Sequence, residues 1–250
     1  MSMLKAKKTK LVYNRNTTEG KQMDNQVSGM QTAPQEYEWK SISKSTQPHR
    51  FFERYLNNDL DNLSKELMKR YEQIEQRKIE GITEVTNKDL WLSSNSVSTM
   101  KWREYNVFQF NIPEIYNLYT AVADMTREAC DHYDLDFDEE QFMLQGWFNI
   151  NYTKKGKLDW HEHGGQGAPD FHGYYAVSAE PSITHYRVFD NEVENYNVNN
   201  RAILSEMGHP HAMADWDWDG PRITVAYDVT PLRYLMKYGK DHEQHWVPLQ

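Results

Sequence analysis

Asp159-Trp160-His161-Glu162-His163-Gly164-Gly165 sets the terms on which the rest of the chain is read, together with Gly208-His209-Pro210-His211 and the strand-like Pro221-Arg222-Ile223-Thr224-Val225-Ala226-Tyr227-Asp228-Val229. His161 and His163 are two apart. That spacing places both imidazoles on one face of an extended strand but on diverging faces of a helix, so a metal shared by the pair requires β-structure. A third imidazole, about fifty residues on, must come from a neighbouring strand, and a sheet closed on itself brings two such strands together. Gly164, Gly165 and Gly167 follow at once and leave space beside the pair, as a metal with free coordination positions requires. Glu162 falls on the opposite face and reads as a group that faces solvent or supports the metal ligands from behind. His209-Pro210-His211 offers two candidates for the third ligand, and sequence geometry leaves the choice open.

Outward from these motifs, the period from Gln141 onward is two. Phe142, Leu144, Gly146, Phe148 and Ile150 alternate with Met143, Gln145, Trp147, Asn149 and Asn151. Further strands are expected at 173–178, 183–189, 201–206 and 222–229, with turn-forming clusters at 154–157 and 195–200. An antiparallel sandwich or barrel follows from this pattern. Upstream, Leu56, Leu60, Leu63, Leu67, Tyr71 and Ile74 recur at helical steps before Gly81, and Pro113 opens a second helix carrying Ile115, Leu118, Val122, Met125 and Ala129 on one face. Both helices are expected to buttress one face of the β-structure. Short strands are expected at Trp91-Leu92, at Tyr105 to Phe110 and at Leu11-Val12-Tyr13. The domain plan is a flexible arm over 1–45, helical support over 46–140, a β core over 141–235 and a tail over 236–250, in an α+β class whose core is mainly β.

On the strand that begins at Arg222, Arg222 and Thr224 share one face and Ile223 and Val225 the other. An arginine facing a barrel interior is costly unless it meets an anion. A small ligand's carboxylate, gripped by the guanidinium with help from the Thr224 hydroxyl, meets that need. The alternatives are Arg222 in water on an edge strand, or an internal pair with Asp215, Asp217 or Asp219.

Thirty-seven acidic residues against 28 basic ones leave a formal charge of -9, with a pI near 5.6. That balance argues against binding a nucleic-acid backbone, which needs clustered cations. The one basic run, Lys5, Lys7, Lys8 and Lys10, reads as a solubilising tail. Cys130 is the single cysteine, expected in a buried helix, so no internal disulfide framework is possible and a reducing compartment is the simpler assumption. No apolar run approaches the ~20 residues of a membrane span, and the start lacks a secretory apolar centre. A soluble, cytoplasmic protein is expected. Trp147, Trp160, Trp216, Trp218, Tyr174 and Tyr175 crowd around the motifs as core and rim packing. Trp216 and Trp218, in the acidic loop 215–220, suit the mouth of a site for a cationic or peptide substrate.

Taken in order, Gly146-Trp147-Phe148-Asn149, His161-Glu162-His163, Gly173-Tyr174-Tyr175, His211-Ala212-Met213 and Arg222-Ile223-Thr224 resemble the iron(II)- and 2-oxoglutarate-dependent oxygenases. More narrowly they look like the branch found in marine bacteria and their phages, which has His-x-His where most relatives have His-x-Asp. The resemblance covers about residues 142–230. It implies a double-stranded β-helix (jelly roll), iron(II) held by His161, His163 and His211, and 2-oxoglutarate as cosubstrate. Its distal carboxylate would be held by Arg222, with Thr224 and Tyr175 assisting. His211 is preferred to His209 because its interval to Arg222 matches the family. The implied reaction uses O2, releases succinate and CO2 and hydroxylates a small-molecule or peptide substrate; a phage origin would place it in the host cytoplasm. His163 stands where a carboxylate is usual, so the site carries less negative charge. Two rival readings are a cupin-like metalloenzyme that does without 2-oxoglutarate, for which Arg222 is dispensable, and a non-enzymatic β-sandwich binding or structural protein that holds no metal.

Overall fold

The computed structural model describes residues 48–82, 96–102, 105–152, 158–163, 170–189, 191–206, 209–214, 218, 220–238 and 245–250. The expectations for Leu11-Val12-Tyr13, Trp91-Leu92, the glycines after His163, the acidic residues Asp215, Asp217 and Asp219, and Trp216 lie outside these residues. The chain enters through β1 (Phe52–Tyr55), a strand with no clear period in the sequence. Helix α1 (Leu60–Ile79) starts where the Asp59 carboxylate accepts the Asn62 N–H at 3.0 Å, and it buries Leu63, Leu67 and Ile74. Gly81 follows its end at φ +70°, a conformation glycine adopts without steric cost. After β2 (Ser96–Ser98), helix α2 (Pro113–Tyr133) begins with proline in its first turn and buries Ile115, Leu118, Val122, Met125, Ala129 and Cys130.

The strand expected over Tyr105 to Phe110 is a 3-10 turn, Val107–Gln109, and Asn106 is the reason. Its side-chain oxygen accepts the Phe108 N–H at 3.1 Å and the Gly146 N–H at 3.0 Å, while its amide donates to the carbonyls of Leu144 and His245. A buried side chain that captures this many backbone groups competes with any sheet ladder.

The remaining elements are the short helix α3 (Phe137–Glu140), β3 (Phe142–Asn151), β4 (Leu158–His161), β5 (Phe171–Ser178), β6 (Ile183–Val188), β7 (Asn191–Tyr196), β8 (Arg201–Glu206), β9 (His211–Met213), β10 (Arg222–Pro231), helix α4 (Leu232–Tyr238) and β11 (Val247–Pro248). They form two sheets. The larger runs β1-β8-β5-β10-β3-β11 with β2 also on β3, and the smaller runs β4-β9-β6-β7. Every pairing is antiparallel. From β3 to β10 the chain crosses repeatedly between the sheets, so strands distant in sequence become neighbours. The architecture is mainly β with supporting helices. No helix among the described residues is long and apolar enough to cross a membrane.

Alternation divides the large sheet into two faces. Leu144, Phe148 and Ile150 of β3, Phe171, Tyr175 and Val177 of β5, Ala202 and Leu204 of β8, and Ile223, Val225, Tyr227 and Val229 of β10 form one core with α1 and α2. The opposite face turns to the small sheet, where Trp147, Tyr174, Ile203 and Ala226 pack with Tyr186 and Val188 of β6. On the helix side Tyr227 reaches over Gly173, its cross-strand partner, to donate to the Ile203 carbonyl at 2.7 Å. A Cβ at Gly173 would lie 2.1 Å from that carbonyl oxygen and 2.5 Å from the Tyr227 ring. Because one of those neighbours is backbone, Gly173→Ala is expected to destabilise the protein by about 3 kcal/mol, read as a lower urea midpoint with an unchanged m-value.

Candidate metal centre

Cross-strand register assembles the site from the small sheet. His161, the last residue of β4, stands opposite His211, the first of β9, and His211 stands opposite Tyr186 of β6. The three side chains form a row, with ring centroids 4.3 Å apart for His161–His211 and 5.4 Å for Tyr186–His211. His163 lies just past the end of β4, with Glu162 exposed between the two histidines. Only one of the pair is therefore a strand residue. The His163 ring stacks 3.8 Å from His172 and 5.5 Å from Trp147. One donor atom from each of His161, His163 and His211 lies within 4.8 Å of the others. His211 donates Nδ1–H to the His209 carbonyl at 3.2 Å, which turns Nε2 toward the other two rings. The His209 side chain bonds Glu206 instead, so the structure brings His211 to the pair.

Two further residues complete the cluster, and sequence reasoning passed over both. His172 of β5 and Asp228 of β10 are direct cross-strand partners on the inner face. The Asp228 carboxylate accepts Nδ1–H of His172 at 2.7 Å and lies 3.4 Å from Nδ1 of His163. His163, His172 and Asp228 thus form a second converging donor group that shares His163 with the first. The signal was present: Asp228 continues the Arg222, Thr224 and Ala226 face, and His172 continues that of Tyr174.

Burial sets the charge state. It is the largest influence on His172, with neighbouring imidazoles adding to it against the pull of Asp228, and it brings the ring down to about 4. His211 is held well below its ordinary value by burial, then by His172, His161 and His163. Burial alone would raise Asp228, but the facing His163 and His172 outweigh it and hold the carboxyl well below the usual range. The centre combines imidazole nitrogens with one carboxylate, a donor chemistry suited to a divalent transition metal.

Arg222 and Thr224 share this inner face and are buried. The Arg222 guanidinium meets one hydroxyl, Nε to Ser182 Oγ at 3.3 Å, and no carboxylate among the described residues. Burial lowers it to about 10, with Tyr174 and Tyr186 pulling the other way. The Tyr186 hydroxyl is buried without a partner among the described residues. Tyr175 does not join them. Alternation sends it to the helix side, where its hydroxyl receives Asn58 Nδ2–H and donates to Asn200, so the expected assistance to Arg222 is corrected: Tyr174 and Tyr186 are the tyrosines near that guanidinium.

No protein-family model matches the sequence, and no curated protein matches it. Among solved structures, the chain is similar to a prolyl hydroxylase from Trichoplax adhaerens in complex with a hypoxia inducible factor peptide, at 9% identity and TM-score 0.51, over 77% of this chain and 88% of the other. A prolyl-4-hydroxylase from Pseudomonas putida gives 10% identity and TM-score 0.47, over 73% and 93%. HygX from Streptomyces hygroscopicus, bound to nickel, 2-oxoglutarate and hygromycin B, gives 10% and 0.43, over 73% and 83%. The first likeness establishes a shared fold.

Removing the Asp228 charge in Asp228→Asn is expected to weaken divalent-metal affinity about 10- to 100-fold, measured by competition with a chromophoric chelator. Nearby Asp170 is pushed up to about 8 by burial and then by Asp228, against a hydrogen bond from Thr230. A folded carboxyl raised above its unfolded value lends stability that is complete below the unfolded value and is lost as pH rises through about 8. Asp170 is therefore expected to contribute a loss of stability between about pH 4 and 8 in metal-free protein, opposite in sign to the lowered His172 and His211, and the difference between wild type and Asp170→Asn in urea titrations is expected to grow across that window.

Proposed function

We propose that the protein is an iron(II)- and 2-oxoglutarate-dependent oxygenase on a double-stranded β-helix, hydroxylating a small-molecule or peptide substrate with O2 and releasing succinate and CO2. The β-helix reading rests on the strand sequence: β3, β5, β8 and β10 fall in one sheet, β4, β6, β7 and β9 in the other. The observation that carries the function is the pairing, on the inner face between the two sheets, of converging imidazoles with a buried guanidinium that has no carboxylate partner among the described residues.

The donor set fits the metal, and the unpaired polar groups fit the cosubstrate. His161, His163 and His211 would hold iron(II), which supplies the O2 chemistry that couples decarboxylation of 2-oxoglutarate to substrate oxidation. Asp228, on Nδ1 of His163, orients that ring and returns to the centre the negative charge lost where a carboxylate ligand is usual. Arg222 grips the distal carboxylate of 2-oxoglutarate, and Tyr186 offers it a hydroxyl that has no other partner among the described residues. Thr224 lies on the same face, two residues along β10. Trp147 and Tyr174 keep water from this interior. The net charge of -9 favours substrates other than nucleic acid.

Anaerobic iron(II) followed by 2-oxoglutarate is expected to develop the weak visible charge-transfer band of a chelated 2-oxo acid. In Arg222→Ala the same band should need about 30- to 150-fold more cosubstrate, the equivalent of losing about 2–3 kcal/mol of charged hydrogen bonding. Stoichiometric metal without any band in the wild type would overturn the proposal in favour of an enzyme that does not use 2-oxoglutarate.

A further inference from the structure

A second convergence of metal-ligating side chains lies outside the centre just described. His49 precedes β1, Glu206 ends β8, and His209 sits in the connection from β8 to β9. One donor atom from each lies within 4.8 Å of the others. His49 Nδ1 is 3.1 Å and His209 Nε2 2.6 Å from the same Glu206 oxygen, and the two rings meet edge to face at 4.5 Å. The side chains are only 7%, 13% and 12% exposed for His49, His209 and Glu206, and Phe51 and Phe189 pack edge-on against the two imidazoles. His49 Nε2 is buried without a hydrogen-bond partner among the described residues. Two imidazoles and one carboxylate, drawn from segments far apart in sequence and shielded by aromatic rings, form a three-ligand face for a borderline divalent cation, with a fourth position left for water.

We infer that His49, Glu206 and His209 bind a second divalent transition metal of the zinc class, one that clamps the segment entering β1 to the connection carrying the third ligand of the first centre. The consequence for that centre is direct. His211 is oriented by the His209 backbone carbonyl, so fixing His209 fixes the imidazole two residues on. Pro210 is tied to β6 by its carbonyl, which accepts the Arg187 N–H at 2.8 Å, so holding His209 leaves both residues before His211 anchored.

The test uses the full-length chain, stripped with chelator and equilibrated with zinc(II), with bound metal counted by mass spectrometry after gel filtration. Wild type is expected to hold two equivalents and His49→Ala/Glu206→Gln one. His161→Ala/His163→Ala is also expected to hold one, and to lose it when the His49 and Glu206 changes are added. A count in His161→Ala/His163→Ala that survives those additions, or is already zero, overturns the inference. A count that falls only with the His49 and Glu206 changes supports it and instead removes the first centre as a zinc site. Where His49→Ala/Glu206→Gln fails to fold by circular dichroism, cobalt(II) titration of His161→Ala/His163→Ala decides, since its second site is unaltered. One equivalent with a visible ligand-field band supports the site, and no band overturns it.

Discussion

The alternation of side chains along β3, β5 and β10 is the constraint on which the rest of the molecule depends. These three strands are hydrogen-bonded neighbours in the large sheet, so their faces act together rather than strand by strand. One face supplies Phe148, Tyr175, Val225 and their neighbours to a core sealed by α1 and α2. That apolar burial stabilises the sheet and allows its other face to be polar. A one-residue slip of β10 would turn Arg222, Thr224 and Asp228 into the helix-packed core and Val225 into the site, so the fold and the site are specified by the same register.

On the polar face Asp228 does for the centre what the core does for the sheet. It faces His172 across the ladder and His163 from the loop after β4, and so ties a strand-borne imidazole to one that the strand cannot place alone. His161 and His211 need no such help, because register sets them opposite each other. The two halves of the cluster are thus positioned by different means: backbone pairing in the small sheet, side-chain hydrogen bonding on the large one.

This division explains what was legible in the sequence. Period two along β3 and β10, helical periodicity in α1 and α2, and the placement of Arg222 opposite Ile223 all depend on local geometry, and local geometry is written in spacing. His172 and Asp228 carry the same periodicity but become meaningful only when β5 and β10 are known to be adjacent, which no single stretch states. Tyr175 shows the reverse failure. The resemblance implies Tyr175 beside Arg222, whereas alternation along β5 gives that face to Tyr174 and turns Tyr175 to the helices. Asn106 shows a third kind of limit, since a buried amide that binds backbone from three segments replaced an expected strand by a tight turn.

The energetic character of the interior follows from these placements. Burial disfavours charge on His172 and His211 and on Arg222, and among the described residues the guanidinium meets one hydroxyl and no carboxylate. Such groups destabilise a fold that never binds anything, because desolvation is charged without the compensating contact. They become favourable when a cation joins the imidazoles and an anion joins Arg222, and each ligand then stabilises the native state in proportion to its saturation. On the proposed function, a cation and a dianion between the two sheets would also relieve each other's charge. On the proposed function, the arrangement that costs the empty protein stability is therefore the one that would favour binding metal and dicarboxylate together over binding either alone.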